Sequence, residues 1–439
     1  MIFRTLFLGF ALFTAAFTAG SQENTSEVYI VHTNDIHGHI KCYADGTGGF
    51  SNYCLYLKDL RAAGKCDILM DTGDLVHKGD FIDKNSGGEA TFMLFDLLGY
   101  DAFIPGNNEL KENFDQYLKF RELLKAPMLV INIKKGDDLI GDAPYVFLER
   151  KGIKFCIMGL SFCGDTEYLS SFKGWEDIVF LAPLEAVEEK VAEVRPFCDI
   201  LILGSHNGTE FDRKVLGAAP EIDLLISGHD HARSSSVFKG DSGERIFEAG
   251  CYLTDLGHIT LVIDDATKKI ASGEQILVNI EKRTGKDPLG SKIRKLDKKY
   301  NKEGRKVIGV LEESLSGFAD SAAFTAGCFI RATKAKCAVI NDGTERELLR
   351  KGRITVEMVY MKSPYKNNVV VCEMTPEFFN KMKEDLRDKK NILFYGNPGD
   401  SGKISVAMDA FMADVLGLKA EDTGITVQKA QIDFLTGKK

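Results

Sequence analysis

Between residues 28 and 280, short apolar runs alternate with longer amphipathic segments. Residues 28–31 form an uninterrupted apolar run that reads as a buried strand. Phe50, Tyr53, Cys54, Leu57 and Leu60 recur at helical spacing and predict a helix over residues 50–63. A strand is expected over 66–70 and a helix over 89–98 that stops at Gly99. Residues 128–133 read as a strand. Residues 145–148 and 154–160 read as a strand pair joined by Glu149, Arg150, Lys151 and Gly152. A helix over 184–194 and strands over 200–203, 223–226, 245–249 and 258–263 complete the alternation. Such a succession predicts a layered α/β domain.

The pattern changes at residue 281. Residues 281–304 are basic, hold few large apolar side chains, and predict a solvated, charged linker helix. A second, smaller α/β domain is expected over 305–439. Length agrees, because 439 residues exceed one ordinary core. Hydrophobic residues make up 44% and charged residues 27%, which places the chain among soluble globular proteins. A net charge of −8 argues against a nucleic-acid partner held by bulk attraction. Residues 1–20 combine Arg4, an apolar stretch and a small-residue site near Gly20, which predicts a signal peptide and export to the periplasm, cell surface or medium. An uncleaved anchor is the alternative. No membrane insertion is expected after cleavage, and the chain is expected as a monomer or weak homodimer. The ten cysteines lack Cys-x-x-Cys spacing, so a thiolate metal site is not expected; disulfides and buried free thiols stay equally open.

The candidate chemistry sits where apolar runs end. His32-Thr33-Asn34-Asp35-Ile36-His37-Gly38-His39 follows the first run. An oxygen donor and a nitrogen donor two residues apart there suggest a divalent metal. Four later stretches repeat the arrangement: Gly73-Asp74, Gly106-Asn107-Asn108-Glu109, Ser205-His206-Asn207-Gly208 and Gly228-His229-Asp230-His231. Each alone reads as a turn acid, a loop cap or an ordinary histidine. Four of only 8 histidines fall in these blocks at the ligand positions, and that joint occurrence favours a metal site.

Together the five blocks resemble the signature of the calcineurin-like metallophosphoesterases, in the form carried by the secreted 5′-nucleotidases. The resemblance spans nearly the whole mature chain, closely to residue 264 and loosely after it. Gly48-Gly49-Phe50, the stretch from Leu98 to Ala102, and Gly250-Cys251-Tyr252 also resemble family positions. The resemblance implies a four-layer sandwich carrying two divalent ions (Mn, Zn, Fe or Co) with a C-terminal substrate-binding domain. It implies that Asp35, His37, Asp74 and His231 ligate one ion and Asp74, Asn107, His206 and His229 the other. Two such cations would clamp a phosphate and acidify a water between them.

The chain departs from the family at the third block. A catalytic His and an Asp three residues later are usual there, and this chain has Asn108 and Lys111. An amide donates a hydrogen bond but no proton, and losing a general acid costs about 10²–10⁴ in rate. Lys111, His39 or His77 could stand in; a surface role for Lys111 and His77 is the plainer alternative. In the second domain, Asn341, Gly343 and Arg346 resemble the family's Asn-x-Gly-x-x-Arg nucleotide segment. Tyr365 resembles the ring that stacks on the base, and Arg331 weakly resembles another family position. Asn341 and Gly343 read equally well as a plain turn. The late glycine-rich block with the second stacking ring is missing, and Phe411 stands near its place. The expectation is an exported hydrolase of nucleotides or related phosphate esters. The rivals are a metal-loaded binding relative with little turnover and a hydrolase of a non-nucleotide ester.

Overall fold

The computed structural model describes residues 24–438, apart from 44, 112, 165–172, 241 and 390. The expected signal peptide lies outside the described residues. Among them, no helix is long and apolar enough to cross a membrane.

Two sheets organise the first 280 residues. The first runs in the order Ser236–Lys239, Ile270–Asn279, Asp255–Asp264, Thr25–Thr33, Ile68–Asp71, Ala102–Phe103. The second runs Ile246–Phe247, Leu224–Ile226, Ile200–Ser205, Ile153–Leu160, Tyr145–Arg150. Alternate residues of each strand point to opposite faces. Val28 and Ile30 of the first sheet therefore meet Phe155, Ile157 and Ile202 of the second in a shared core. Val31 and Leu69 face the other way, onto Phe50, Tyr53, Phe92 and Phe120 of the covering helices. Cys156, Met158, Leu201 and Leu203 likewise face Val187, Val191 and Val215. The result is the expected four-layer sandwich of helix, sheet, sheet and helix.

A separate five-stranded sheet follows, in the order Ile392–Gly396, Cys337–Asn341, Ile404–Asp409, Asn368–Met374, Glu421–Thr426. Ala338 and Ile340 pack on one face with Ala326, Phe329 and Val427. Cys337 and Val339 pack on the other with Phe379, Met382 and Met412.

Three expectations need correction. Residues 128–131 are buried, but they make only isolated bridges, Phe103 to Met128 and Leu129 to Ala143; the regular strand begins at Ile133. The apolar run records burial on all sides rather than a ladder. The strand expected over 245–249 shrinks to Ile246–Phe247. Within 281–304 only Gly290–Tyr300 is helical, and it is not freely solvated. Leu289 and Ile293 are buried in the first core, with Leu296 and Tyr300 packed against it. These residues form one stripe at helical spacing, hidden in the sequence by the charged side chains of the solvent face between them. The ten cysteines are free thiols.

Candidate active site

The five polar blocks leave the carboxyl ends of Thr25–Thr33, Ile68–Asp71, Ala102–Phe103, Ile200–Ser205 and Leu224–Ile226. The first three of these strands are mutually parallel, as are the last two. Their ends therefore open on one side, where α/β sheets place ligands. Asp35, His37, Asp74, His229 and His231 all adopt left-handed backbone, with φ of 51°, 50°, 54°, 97° and 60°. Non-glycine residues in that region cost on the order of 1–3 kcal/mol each and collect at functional sites. Gly106 permits the close approach of the loops: a Cβ there would lie 2.4 Å from Asp74 Oδ1 and 2.7 Å from His206 Nε2. The Glu109 carboxylate ties the loops together, accepting from the N–H groups of Asp74 (2.9 Å), Leu75 (2.8 Å) and Gly106 (2.8 Å).

The donor atoms converge. The Nε2 atoms of His37 and His231 lie 3.5 and 3.3 Å from Asp35 Oδ1 and 3.1 Å from each other. His206 Nε2 is 3.3 Å from Asp74 Oδ1, and His37 Nε2 is 3.8 Å from Asp74 Oδ2. Asp35, His37 and His231 form one group with donor atoms within 4.8 Å of one another, and Asp35, Asp74 and His206 form a second. His229 Nδ1 is 2.9 Å from Asn107 Oδ1 at the edge of the second group. Asn34 fixes Asp35 by donating to Oδ2 at 2.8 Å. The Thr72 carbonyl, 2.5 Å from His206 Nδ1, selects the tautomer that leaves Nε2 free as a ligand.

Electrostatics fit a cation. Asp35 Oδ1 and His206 Nε2 are buried without a hydrogen-bond partner. Buried polar atoms without a hydrogen bond are costly unless something else satisfies them. Burial would raise the Asp35 carboxyl, but His231 and His37 hold it well below the usual range. Burial would lower His206, but the neighbouring Asp74 carboxylate outweighs it and lifts the imidazole to about 10, so that a proton on Nε2 supplies the positive charge an ion would replace. Mixed nitrogen and oxygen donors without thiolate suit a hard or borderline divalent ion.

Asn108 and Lys111 come together beside Asp74. The Asn108 amide donates to Asp74 Oδ2 through its side chain and to Oδ1 through its backbone at 2.8 Å, and Lys111 Nζ donates to Asn108 Oδ1 at 3.3 Å. Lys111 is thus turned inward rather than to the surface. Arg346 and Tyr365 of the second sheet region also pair, with Arg346 Nε donating to the Tyr365 hydroxyl at 3.0 Å. Their charges are felt by Tyr252 and Lys111, which brings them to the metal-site mouth. Tyr43, Tyr252, Phe318, Arg346, Glu347 and Met358 help line the adjoining cleft of about 490 Å³. His39 Nε2, 3.0 Å from Glu347 Oε1, closes one side of it.

Two expected substrate residues are engaged otherwise. Arg331 stacks 5.3 Å from the Phe434 ring centroid and donates to the Lys438 carbonyl at 3.4 Å. The Asn341 carboxamide accepts from the Gly343 N–H at 3.0 Å, which is the plain-turn geometry. Tyr252 belongs to a stretch already resembling the family, but Lys78 carries no sequence signal for its place at the site.

Residues 28–233 match the calcineurin-like phosphoesterase family. UshA of Yersinia enterocolitica is 23% identical over an alignment covering 85% of this chain and 78% of that protein. A 5′-nucleotidase of Vibrio parahaemolyticus is 24% identical, covering 87% of this chain and 77% of its own. The crystal structure of a 5′-nucleotidase precursor from Thermus thermophilus superposes with a TM-score of 0.72 at 18% identity, covering 94% of this chain and 96% of that one. The fold and the clustered donors define a metal-dependent phosphoester hydrolase. Residues 28–233 form a calcineurin-like phosphoesterase domain, and the chain as a whole is similar to 5′-nucleotidases.

Proposed function

We propose that this chain is an exported, dinuclear hydrolase that cleaves nucleotides or closely related phosphate esters. The observation that carries the reading is the convergence of Asp35, His37, Asp74, His206 and His231, with two buried polar atoms, Asp35 Oδ1 and His206 Nε2, left without a hydrogen bond among them. Asp35, His37 and His231 would hold one ion, His206, His229 and Asn107 the other, with Asp74 shared. When bound, the ions polarise water toward phosphorus and neutralise the phosphoryl oxygens. The chain's own residues do the rest. Asn108 orients Asp74 and presents its second amide proton to the substrate phosphate. Arg346 and Tyr365 hold the remainder of the substrate, the guanidinium as an anion donor and the ring as a stacking surface. Residues 27–280 act as the metal domain, 281–304 as the connection and 305–439 as the substrate domain.

Support for export comes from the apolar, basic-tipped residues 1–20. One observation favours a weakly turning-over relative: the Asn108 amide is already tied between Asp74 and Lys111 and delivers no proton. The deciding test is phosphate release by purified protein over a panel of nucleotides, sugar phosphates and aryl phosphates with Mn²⁺, Zn²⁺ or Co²⁺. Release from nucleotides at more than about 1 s⁻¹ supports the hydrolase. Tight nucleotide binding without release supports the relative that only binds.

A further inference from the structure

The family's protonating histidine is missing, yet the site is rich in cations, and one of them has no partner among the described residues. Lys78 sits on the turn that follows Asp74. It and His77 are consecutive left-handed residues, with φ of 70° and 69°. The turn is clamped on both sides. The His77 N–H donates to Asp83 Oδ2 at 2.9 Å, and Thr91 Oγ1 holds Asp83 Oδ1 at 2.6 Å. Gly79 is pressed onto the first metal-site loop, where a Cβ would come within 2.1 Å of the Gly38 carbonyl. Two adjacent strained residues held this firmly fix the backbone from which the Lys78 side chain departs, against the His37–Gly38 loop.

The Lys78 ammonium is half-buried and forms no hydrogen bond or ion pair within 4 Å among the described residues. Its surroundings place it in the site. Burial disfavours its charge, and the fields of Asp74 and Asp35 support it, while Arg346 on the opposite side opposes it; Cys251 also faces it. Lys111 and His37 feel its charge in turn. The Lys78 turn therefore borders the first metal-site loop through Gly79 and Gly38, and its ammonium is near enough to Asp74, Asp35 and Arg346 to feel the charge of each. Lys111 already gives one of its three donors to Asn108 Oδ1, whereas Lys78 makes no such bond among the described residues.

We propose that Lys78 contacts the departing oxygen of the substrate and stabilises the negative charge it acquires, in place of the absent histidine. This rests on the phosphoester hydrolase reading. In the step, the oxygen of water joins phosphorus and gives up a proton to solvent, the P–O bond electrons stay on the departing oxygen, and that oxygen takes a proton from solvent. Lys78 keeps its own proton and supplies charge and N–H donors.

The test compares the Mn²⁺-loaded protein with Lys78→Met, Lys78→Arg and Lys78→Gly on AMP, which has a poor alkoxide leaving group, and on p-nitrophenyl phosphate, which has a good one. Lys78→Met should lower kcat/KM for AMP about 10²-fold and for the aryl ester less than about 5-fold. Lys78→Arg should keep AMP turnover within about 10-fold of the parent. Lys78→Gly relieves the left-handed strain, so it should melt no lower than the parent while losing AMP turnover as Lys78→Met does. Equal losses on both esters, or no loss with Lys78→Met, would overturn the role of Lys78 and leave the hydrolase reading standing. A parent protein that cleaves neither ester overturns both.

Discussion

A buried ion pair behind the substrate residues gives a sharp stability test. Lys362 is fully buried and Glu345 is 4% exposed, and the ammonium and carboxylate are in direct contact. Glu345 also accepts from Ser321 Oγ at 3.0 Å and Thr325 Oγ1 at 2.8 Å, and Lys362 Nζ donates to Thr325 Oγ1 at 2.7 Å. Burial pushes the Lys362 ammonium below its ordinary value, and only the Glu345 carboxylate opposes that shift strongly. Removing one member leaves the other charged and buried, which costs about 3–5 kcal/mol. The two hydroxyl donors still solvate Glu345, so Lys362→Met should fall at the low end, about 3 kcal/mol. Glu345→Gln should cost a similar amount by orphaning Lys362. The double variant removes both charges, and the carboxamide introduced by Glu345→Gln would still accept from Ser321 and Thr325. It should cost about 1 kcal/mol, well short of the sum. Urea unfolding of all four proteins at pH 7 measures the coupling. A double variant as destabilised as the two singles added would refute the idea that the pair is electrostatically coupled. The pair also reaches function. The Arg346 N–H donates to the Lys362 carbonyl at 2.8 Å, and Gln428 Nε2 donates to the Tyr365 carbonyl at 2.8 Å. The double variant should therefore raise nucleotide KM more than it changes kcat.

Metal analysis should give two ions per chain, falling to none in Asp74→Ala and to about one in His231→Ala, because Asp74 lies 3.8 Å from His37 and 3.3 Å from His206 whereas His231 reaches one donor group alone. Tyr365→Ala should raise nucleotide KM about 5- to 150-fold, the equivalent of about 1–3 kcal/mol of stacking, while Arg331→Ala, engaged with Phe434 and Lys438, should leave it unchanged. Asp212 is buried between Ser205 and Ser227, and burial raises its carboxyl to about 6 against the pull of both hydroxyls. A carboxyl raised by folding stabilises its protonated form, so this group's cost is absent below the unfolded value of 3.8, grows as pH rises, and is complete above about 6. Asp212→Asn should thus gain stability over the parent at pH 7.5 and little at pH 4, as read by denaturant midpoints at the two pH values.

The loops whose acids and histidines converge were legible because their chemistry is local. Each donor follows the carboxyl end of an apolar strand by a few residues, and each strand is short enough to stand out from its flanks, as with residues 28–31 and 200–203. The helix Gly290–Tyr300 was half legible, because its apolar stripe is one residue wide and its solvent face is crowded with lysines. Residues 128–131 misled for the opposite reason: burial on every side erases the period that separates a strand from a buried connection.

Lys78 shows where reading along the chain stops. Nothing in Leu75-Val76-His77-Lys78 marks it as part of the site, since a lysine four residues after a loop acid is ordinarily solvated. Its position follows from contacts remote in sequence: Gly79 against Gly38, His77 held by Asp83, and Arg346 approaching from the second sheet region. The same remoteness explains Glu109, which sits in a recognised block but acts by capping the Asp74 loop more than thirty residues away. Ligand identity is thus carried by single blocks, whereas the groups that shape charge around the ligands are assembled by packing between blocks. A change that leaves all five blocks intact but replaces Gly79 should therefore disturb the Lys78 turn and the His37 loop together, because the clash falls on the Gly38 carbonyl and, at 2.4 Å, on the His37 carbonyl; metal content and turnover should both fall although no block residue has changed.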